Sequence, residues 1–181
     1  MTRWTIDPTH SEVNFKVKHL VVSTVTGHFD SYSATIEGES DDFTDAKIVF
    51  EADANSINTK NGQRDAHLKS ADFFDAAQYP MLAFTSTSVK KLSDHELQVD
   101  GIMTIRGVSR EVTLDVIYNG TVAGFGGSKV AGFEIRAKIN RFDFGLQWNA
   151  MTEAGGVVVS NEVKIEILAE FTKAQVVHKA A

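Results

Sequence analysis

Cysteine is absent from this 181-residue chain, which removes disulfides, thiolate nucleophiles and thiolate metal sites and leaves no mark of a redox compartment. Basic runs are absent too. Nothing exceeds the pair Lys90-Lys91 and the formal net charge is −6, so the clustered cations that nucleic acid requires are missing and none is expected as a partner. No stretch approaches the ~18 apolar residues of a membrane-crossing helix, so no transmembrane segment is expected. The strand pattern begins soon after Met1 and leaves no room for a secretory leader. With Met1 as the natural start the reading is a cytoplasmic protein, and a periplasmic one if a leader has been removed. Tyrosine and tryptophan are scarce, at three and two, against twelve phenylalanines. Phenylalanine supplies apolar wall without a polar handle.

What is present is alternation. Val13, Phe15, Val17 and His19 alternate with Asn14, Lys16 and Lys18, the period of a half-buried strand. Gly27 to Glu37 reads as a second strand, with an unsettled register around Tyr32 and Ala34. Ala46, Ile48, Phe50 and Ala52 share one face of a third. The pattern then changes, and 61–68 and 70–77 read as two short helices, ended by Pro80. Strands resume over Leu82 to Lys90, Glu96 to Arg106, Arg110 to Tyr118 after a Gly107-Val108-Ser109 turn, Lys129 to Phe144, and a last one through Val163, Ile165, Ile167 and Ala169. Gly124-Phe125-Gly126-Gly127 lacks the helix and Lys-Ser/Thr of a phosphate loop and reads as a hairpin turn. The expected fold is all-β: an extended barrel of about eight antiparallel strands, with a helical insertion around residues 60–78, in a single domain over 1–181. Closure removes the exposed edges of an open sheet. The tail from Lys173 to Ala181 reads as frayed.

An ordered set of motifs carries a resemblance: Trp4-Thr5-Ile6-Asp7 with His10-Ser11, then Phe15 to Leu20, Gly27 and Phe29, then Ala54 to Thr59 running into Arg64-Asp65-Ala66-His67-Leu68. Asp72-Phe73-Phe74-Asp75, Tyr79-Pro80, Gly101 to Gly107 and Arg141-Phe142-Asp143-Phe144-Gly145 follow in order. Across residues 4 to about 171 the chain resembles the YceI-like family, lipocalin-like barrels associated with polyisoprenoid binding. The resemblance implies a long internal cavity for an isoprenoid chain, such as a polyprenyl phosphate or the tail of a respiratory quinone.

The polar candidates each carry two readings. Asp7 and His10 either brace an Asp-Pro turn or form part of a mouth that meets a ligand head group. Arg64 and His67 either pin a helix to the barrel rim through an Arg–carboxylate pair or contact that head group, for which the Arg fork suits phosphate or quinone oxygens. His19, at the end of an apolar alternation, is either a hydrogen-bonded core histidine or a third polar contact. Asp72 and Asp75 read as solvated acids. No metal-ligand spacing occurs and no metal is expected. Phe73 and Phe74 read as packing in a lid that also meets ligand.

Small residues recur within the strands, at Ala34, Ala46, Ala52, Ala83, Gly101 and Ala137. If they face inward they leave space that Phe15, Phe29, Phe50, Phe84, Met103, Phe133 and Ile135 line. If they face outward the interior is filled. About ten buried methylenes contribute ~8 kcal/mol, roughly micromolar affinity before ordering costs. The leading reading is therefore a carrier of isoprenoid lipid, with no catalysis and no cofactor beyond that ligand. One alternative is a hydrolase or isomerase, metal-dependent or metal-free, built on Asp7, His10, His19, Arg64 and His67. The other is a filled barrel acting as a homodimer in stress physiology.

Overall fold

A strand of period two keeps only its odd or only its even residues on one face, and the first three strands of this protein exchange one set for the other midway. The computed structural model describes residues 1–173, so the tail read above as frayed lies outside the described residues from 174 onward. The first strand comprises β1 (Thr2–Ile6) and β2 (Glu12–His19), separated by a 3₁₀ turn at Pro8–His10. Trp4 and Ile6 point inward from β1, whereas Val13, Phe15 and Val17 do so from β2. The second comprises β3 (Ser23–Phe29) and β4 (Tyr32–Gly38), and its inward set passes from Val25 and Phe29 to Ala34 and Ile36. The third comprises β5 (Lys47–Asp53) and β6 (Ile57–Asn58), broken by a 3₁₀ turn at Ala54–Ser56; there Ile48, Phe50 and Ala52 give way to Ile57. The run from Gly27 to Glu37 is thus a broken strand, and its phase change explains why Phe29 and Ala34 fit no single alternation.

Each break strands backbone groups that a regular ladder would pair, and serine hydroxyls supply the substitutes. Glu170 N–H donates to Ser11 Oγ at 2.9 Å, and Asp7 N–H donates to Glu170 O at 2.8 Å. Ser31 N–H donates to Ser56 Oγ at 3.0 Å, while Asp30 N–H reaches Ser56 O at 3.1 Å. Tyr32 Oη ties the first two breaks together by donating to Ser11 O at 2.7 Å.

The remaining strands are β7 (Met81–Lys91), β8 (Glu96–Ile105), β9 (Val108–Ala123), β10 (Lys129–Asn140) and β11 (Val159–Lys173). Hydrogen bonding runs β1-β4-β5-β7-β8-β9-β10-β11, and β1 pairs back to β11, which closes an eight-stranded antiparallel barrel. Beyond the breaks, β2, β3 and β6 continue β1, β4 and β5. The insertion holds one helix, α1 (Gly62–Lys69), capped by Asn61, whose side-chain oxygen accepts from Arg64 N–H at 3.0 Å. The expected second helix at 70–77 is instead a series of turns. Phe74 and Ala76 donate back to Leu68 O and Lys69 O, each at 3.0 Å, so the chain folds onto the end of α1 and buries Phe73 and Ala76. The β8–β9 turn also differs from expectation. It is Arg106-Gly107, both left-handed at φ 51° and 70°, the backbone of a type I′ hairpin, and Val108 and Ser109 already belong to β9.

One end of the barrel is plugged by rings. Phe43 lies 5.2 Å from Phe133, 5.5 Å from Tyr118 and 5.7 Å from Trp4 between ring centroids, in tilted or edge-on contacts. Further along, two rings lie over strand glycines: Phe15 covers Gly27 and Phe84 covers Gly101. A Cβ on Gly101 would overlap both the Phe84 ring and the Thr85 carbonyl oxygen, whereas at Gly27 the nearest obstacle is the Phe15 ring alone. Gly101→Ala is therefore expected to cost about 1–3 kcal/mol, read as a lowered urea midpoint, and Gly27→Ala less because a side chain can swing aside.

Candidate functional site

Small inward residues and a plug confined to one end leave a cavity of about 600 Å³ along the barrel, within the ~300–1,000 Å³ typical of single-ligand sites. Ala34, Ala52, Ala83 and Ala169 lie on its wall, which places these small side chains inward. Ala46 and Ala137 are buried but do not line it. Phe15, Phe29, Phe50, Phe84 and Met103 line it, as do Phe133 and Ile135 toward the plug. Phe73 and Phe74, from the turns after α1, close over the far end together with Leu68 and Trp148.

Polar residues also line the cavity: His19 of β2, and Asn61, Gln63, Arg64 and His67 from α1 and its cap, the last packed against Trp148 and Phe73 at that same end. Among the described residues Arg64 is not paired to a carboxylate. Its Nε donates to Thr59 Oγ1 at 2.7 Å and its Nη2 to Thr59 O at 2.8 Å. Asp65 completes the arrangement by accepting from Thr59 N–H at 2.8 Å and Thr59 Oγ1 at 2.6 Å. Buried Thr59 thus stands between the acid and the base. The expected Arg–carboxylate rim anchor is a relay through threonine, and it leaves Arg64 Nη1 without a protein partner among the described residues. His67 Nε2 lies 2.8 Å from Asp72, which is exposed as expected of a solvated acid and also partners the imidazole. The His67 ring packs edge-on to Trp148 and Phe73, at 4.7 and 5.1 Å.

Asp7 and His10 are not at this mouth. They sit at the first strand break and do not line the cavity. His10 Nδ1 lies 2.8 Å from Asp7 Oδ2 and 3.7 Å from Glu170, and Asp7 Oδ1 caps the turn by accepting from Thr9 N–H at 2.9 Å. The reason is the break itself: it points Ile6 and Val13 inward and leaves Asp7 and His10 off the cavity wall. Hence the five-residue cluster Asp7, His10, His19, Arg64 and His67 expected for an enzyme does not assemble. Asp7, His10 and Glu170 do bring ligand atoms within 4.8 Å of one another, a geometry that their hydrogen bonding accounts for.

Sequence reasoning missed Arg141. It is only 4% exposed, lines the cavity, and spends its guanidinium on backbone carbonyls: Leu146 and Trp148 at 2.7 Å, Ser160 at 2.9 Å and Val159 at 3.3 Å. Burial pulls its pKa below the usual arginine value. The side chain staples the loop before β11 to the barrel and puts Trp148 against His67. Its sequence signals are a charged residue directly after the apolar alternation of β10 and its place at the head of the Arg141-Phe142-Asp143-Phe144-Gly145 motif.

A family model for the YceI-like domain matches residues 4–171. The UPF0312 protein SAS2572 of Staphylococcus aureus is 40% identical over 173 residues, 95% of this chain and 98% of the relative. A YCEI protein crystal structure from Campylobacter jejuni superposes with TM-score 0.75 at 32% identity, covering 88% of this chain and 91% of that one. A polyisoprenoid binding domain from Saccharophagus degradans shares the fold at TM-score 0.65 and 18% identity, covering 96% and 100%.

The Asp7–His10 pair makes stability depend on pH at the barrel seam. Hydrogen bonding and charge attraction from Asp7, with Glu170 adding attraction, raise the His10 pKa above 6.5; its contribution is complete below 6.5 and fades as pH rises through the elevated value. The bonds from His10 and Thr9 lower the Asp7 pKa beneath 3.8, so that contribution is complete above 3.8 and fades as pH falls through the depressed value. Urea midpoints are expected to show this seam strongest between pH 3.8 and 6.5, and His10→Gln should flatten the alkaline limb.

Proposed function

The chain belongs to the YceI-like domain family, and on that footing we propose that it binds an isoprenoid lipid as a carrier or store, without a catalytic step. The observation that carries this reading is a continuous apolar cavity of about 600 Å³ whose polar groups lie together at one end. Such a site suits a ligand with a long hydrocarbon tail and one polar terminus. The tail would run past Phe84 and Met103 toward the ring plug, and the head would rest among Asn61, Gln63, Arg64 and His67. Binding of polyisoprenoid by the Saccharophagus degradans domain, which has this fold, supports the same ligand class.

Charge favours an anionic head, such as a polyprenyl phosphate, over a neutral quinone. Arg64 and Arg141 both bond uncharged oxygens, and although Asp65 reaches Arg64 through Thr59 and offsets part of its charge, neither guanidinium is paired directly to a carboxylate among the described residues. A phosphate would accept charge-assisted bonds from the unused Arg64 Nη1.

Mass spectrometry of an organic extract from the purified protein should reveal prenyl lipid. Ala34→Phe, which fills the wall beside Ile36, is expected to weaken uptake of a prenyl phosphate at least tenfold. Arg64→Met should cost about 2 kcal/mol, roughly thirtyfold, for the phosphate and far less for a quinone. An extract free of isoprenoid, with no saturable uptake of either compound, would overturn the proposal.

A further inference from the structure

The β2–β3 hairpin ends in Leu20-Val21-Val22, which are 40%, 75% and 84% exposed. Leu20 and Val21 both have left-handed backbone, at φ 52° and 64°, a turn that ordinarily selects Asn-Gly and disfavours a β-branched residue. The tip also stands proud of the barrel. On the outer edge of β3, only His28 and Phe29 are paired, to Asn58 and Ile57 of β6, so Ser23 to Gly27 carry no neighbouring strand among the described residues. Leu20 N–H donates to Val158 O at 2.9 Å, which links the tip to a second small hairpin closed by the Met151–Val157 bridge. Met151 and Val157 are exposed as well. Lys18, His19, Val158 and Val159, directly beside these residues, line the cavity.

We propose that the Leu20–Val22 tip and the Met151/Val157 hairpin dip into a lipid bilayer, so that the polar end of the cavity opens onto the membrane when lipid is exchanged. The inference rests on the isoprenoid reading, since a long-chain prenyl lipid does not cross water freely and its carrier must meet the bilayer that holds it. A protruding convex finger suits a deformable lipid surface, where a second protein would need a matching groove. Charge indicates how it docks. Beside the tips Lys18 is offset by Glu153 and the chain carries net charge −6, so contact is apolar and not driven by attraction to anionic lipid.

The test is flotation of the full-length protein with phosphatidylcholine vesicles, with and without phosphatidylglycerol. The wild type should float with both, with little effect of salt. Leu20→Asn combined with Val21→Gly fits the left-handed turn better and should keep or raise the melting temperature, while Val22→Glu leaves the turn alone. Both variants should float at least tenfold less and pass a fluorescent prenyl lipid between vesicles more slowly, yet take up farnesol, a short isoprenoid alcohol, like the wild type. A wild type that binds farnesol but never floats overturns docking and leaves the isoprenoid reading intact. One that floats without taking up farnesol overturns the isoprenoid reading and leaves membrane contact standing. Absence of flotation together with a dimer that Val22→Glu disperses would make the tip a self-contact and also overturn docking.

Discussion

Every strand that walls a lipid cavity must keep its apolar residues inward over its full length, and here three strands do so only because each is broken once at a serine-mended kink. Without the break at Pro8–His10, continuing the even-numbered alternation of Trp4 and Ile6 would turn Val13, Phe15 and Val17 to solvent. The same holds for Phe29 against Ala34, and for Ala52 against Ile57. A break is tolerable only where its stranded backbone groups find partners, which is the work of the Ser11 and Ser56 hydroxyls. The first of these lies on the seam that closes the barrel, so the same hydroxyl that permits the phase change also joins first strand to last.

The polar end follows a second constraint, that buried cations need hydrogen-bond partners even when they lack counter-ions. Arg141 meets it with four backbone carbonyls, whereas Arg64, exposed at the rim, is held in place by buried Thr59. Carbonyl dipoles satisfy the donors without neutralising the charge. Arg141 therefore keeps its charge beside a space otherwise walled by hydrocarbon, and this end of the cavity differs in polarity from the ring plug. Trp148, placed by Arg141, and His67, held by Asp72, pack together at the same opening, so the electrostatics and the steric closure of the mouth share one set of residues.

The long strands were legible because their alternation is uninterrupted: Phe133, Ile135, Ala137 and Ile139 of β10, and Val163 to Ala169 of β11, read inward in the sequence and lie so in the barrel. The apolar wall of the cavity was legible for the same reason. What escaped depends on partners distant in sequence. Residues 70–77 read as a second helix, but the chain instead folds back onto Leu68 and Lys69 and buries Phe73. Asp7 and His10 are near His19 along the chain, yet the break turns them to the opposite side of the wall. Arg141 falls inside the strand expected over Lys129 to Phe144, but β10 ends at Asn140, and the carbonyl partners of Arg141 come from two segments that only the folded loop brings together.

The cavity itself raises an energetic question that the walls answer. In a packed core a void costs ~24 cal/mol per Å³, so 600 Å³ would cost about 14 kcal/mol, comparable to the ~5–15 kcal/mol stability of an entire domain. A bundle of helices, held together by side-chain packing across its centre, would collapse to remove such a void. A closed barrel resists because its strands are held by ladder hydrogen bonds that run around the wall, and shrinking the circumference would break them. The ring plug of Phe43, Phe133 and Tyr118 recovers packing at one end, where the barrel can be filled without obstructing the mouth. The remaining apolar surface is the part that a hydrocarbon tail would cover, so occupancy would restore the contacts the interior lacks. Ligand uptake and barrel stability are in this way two readings of the same empty space.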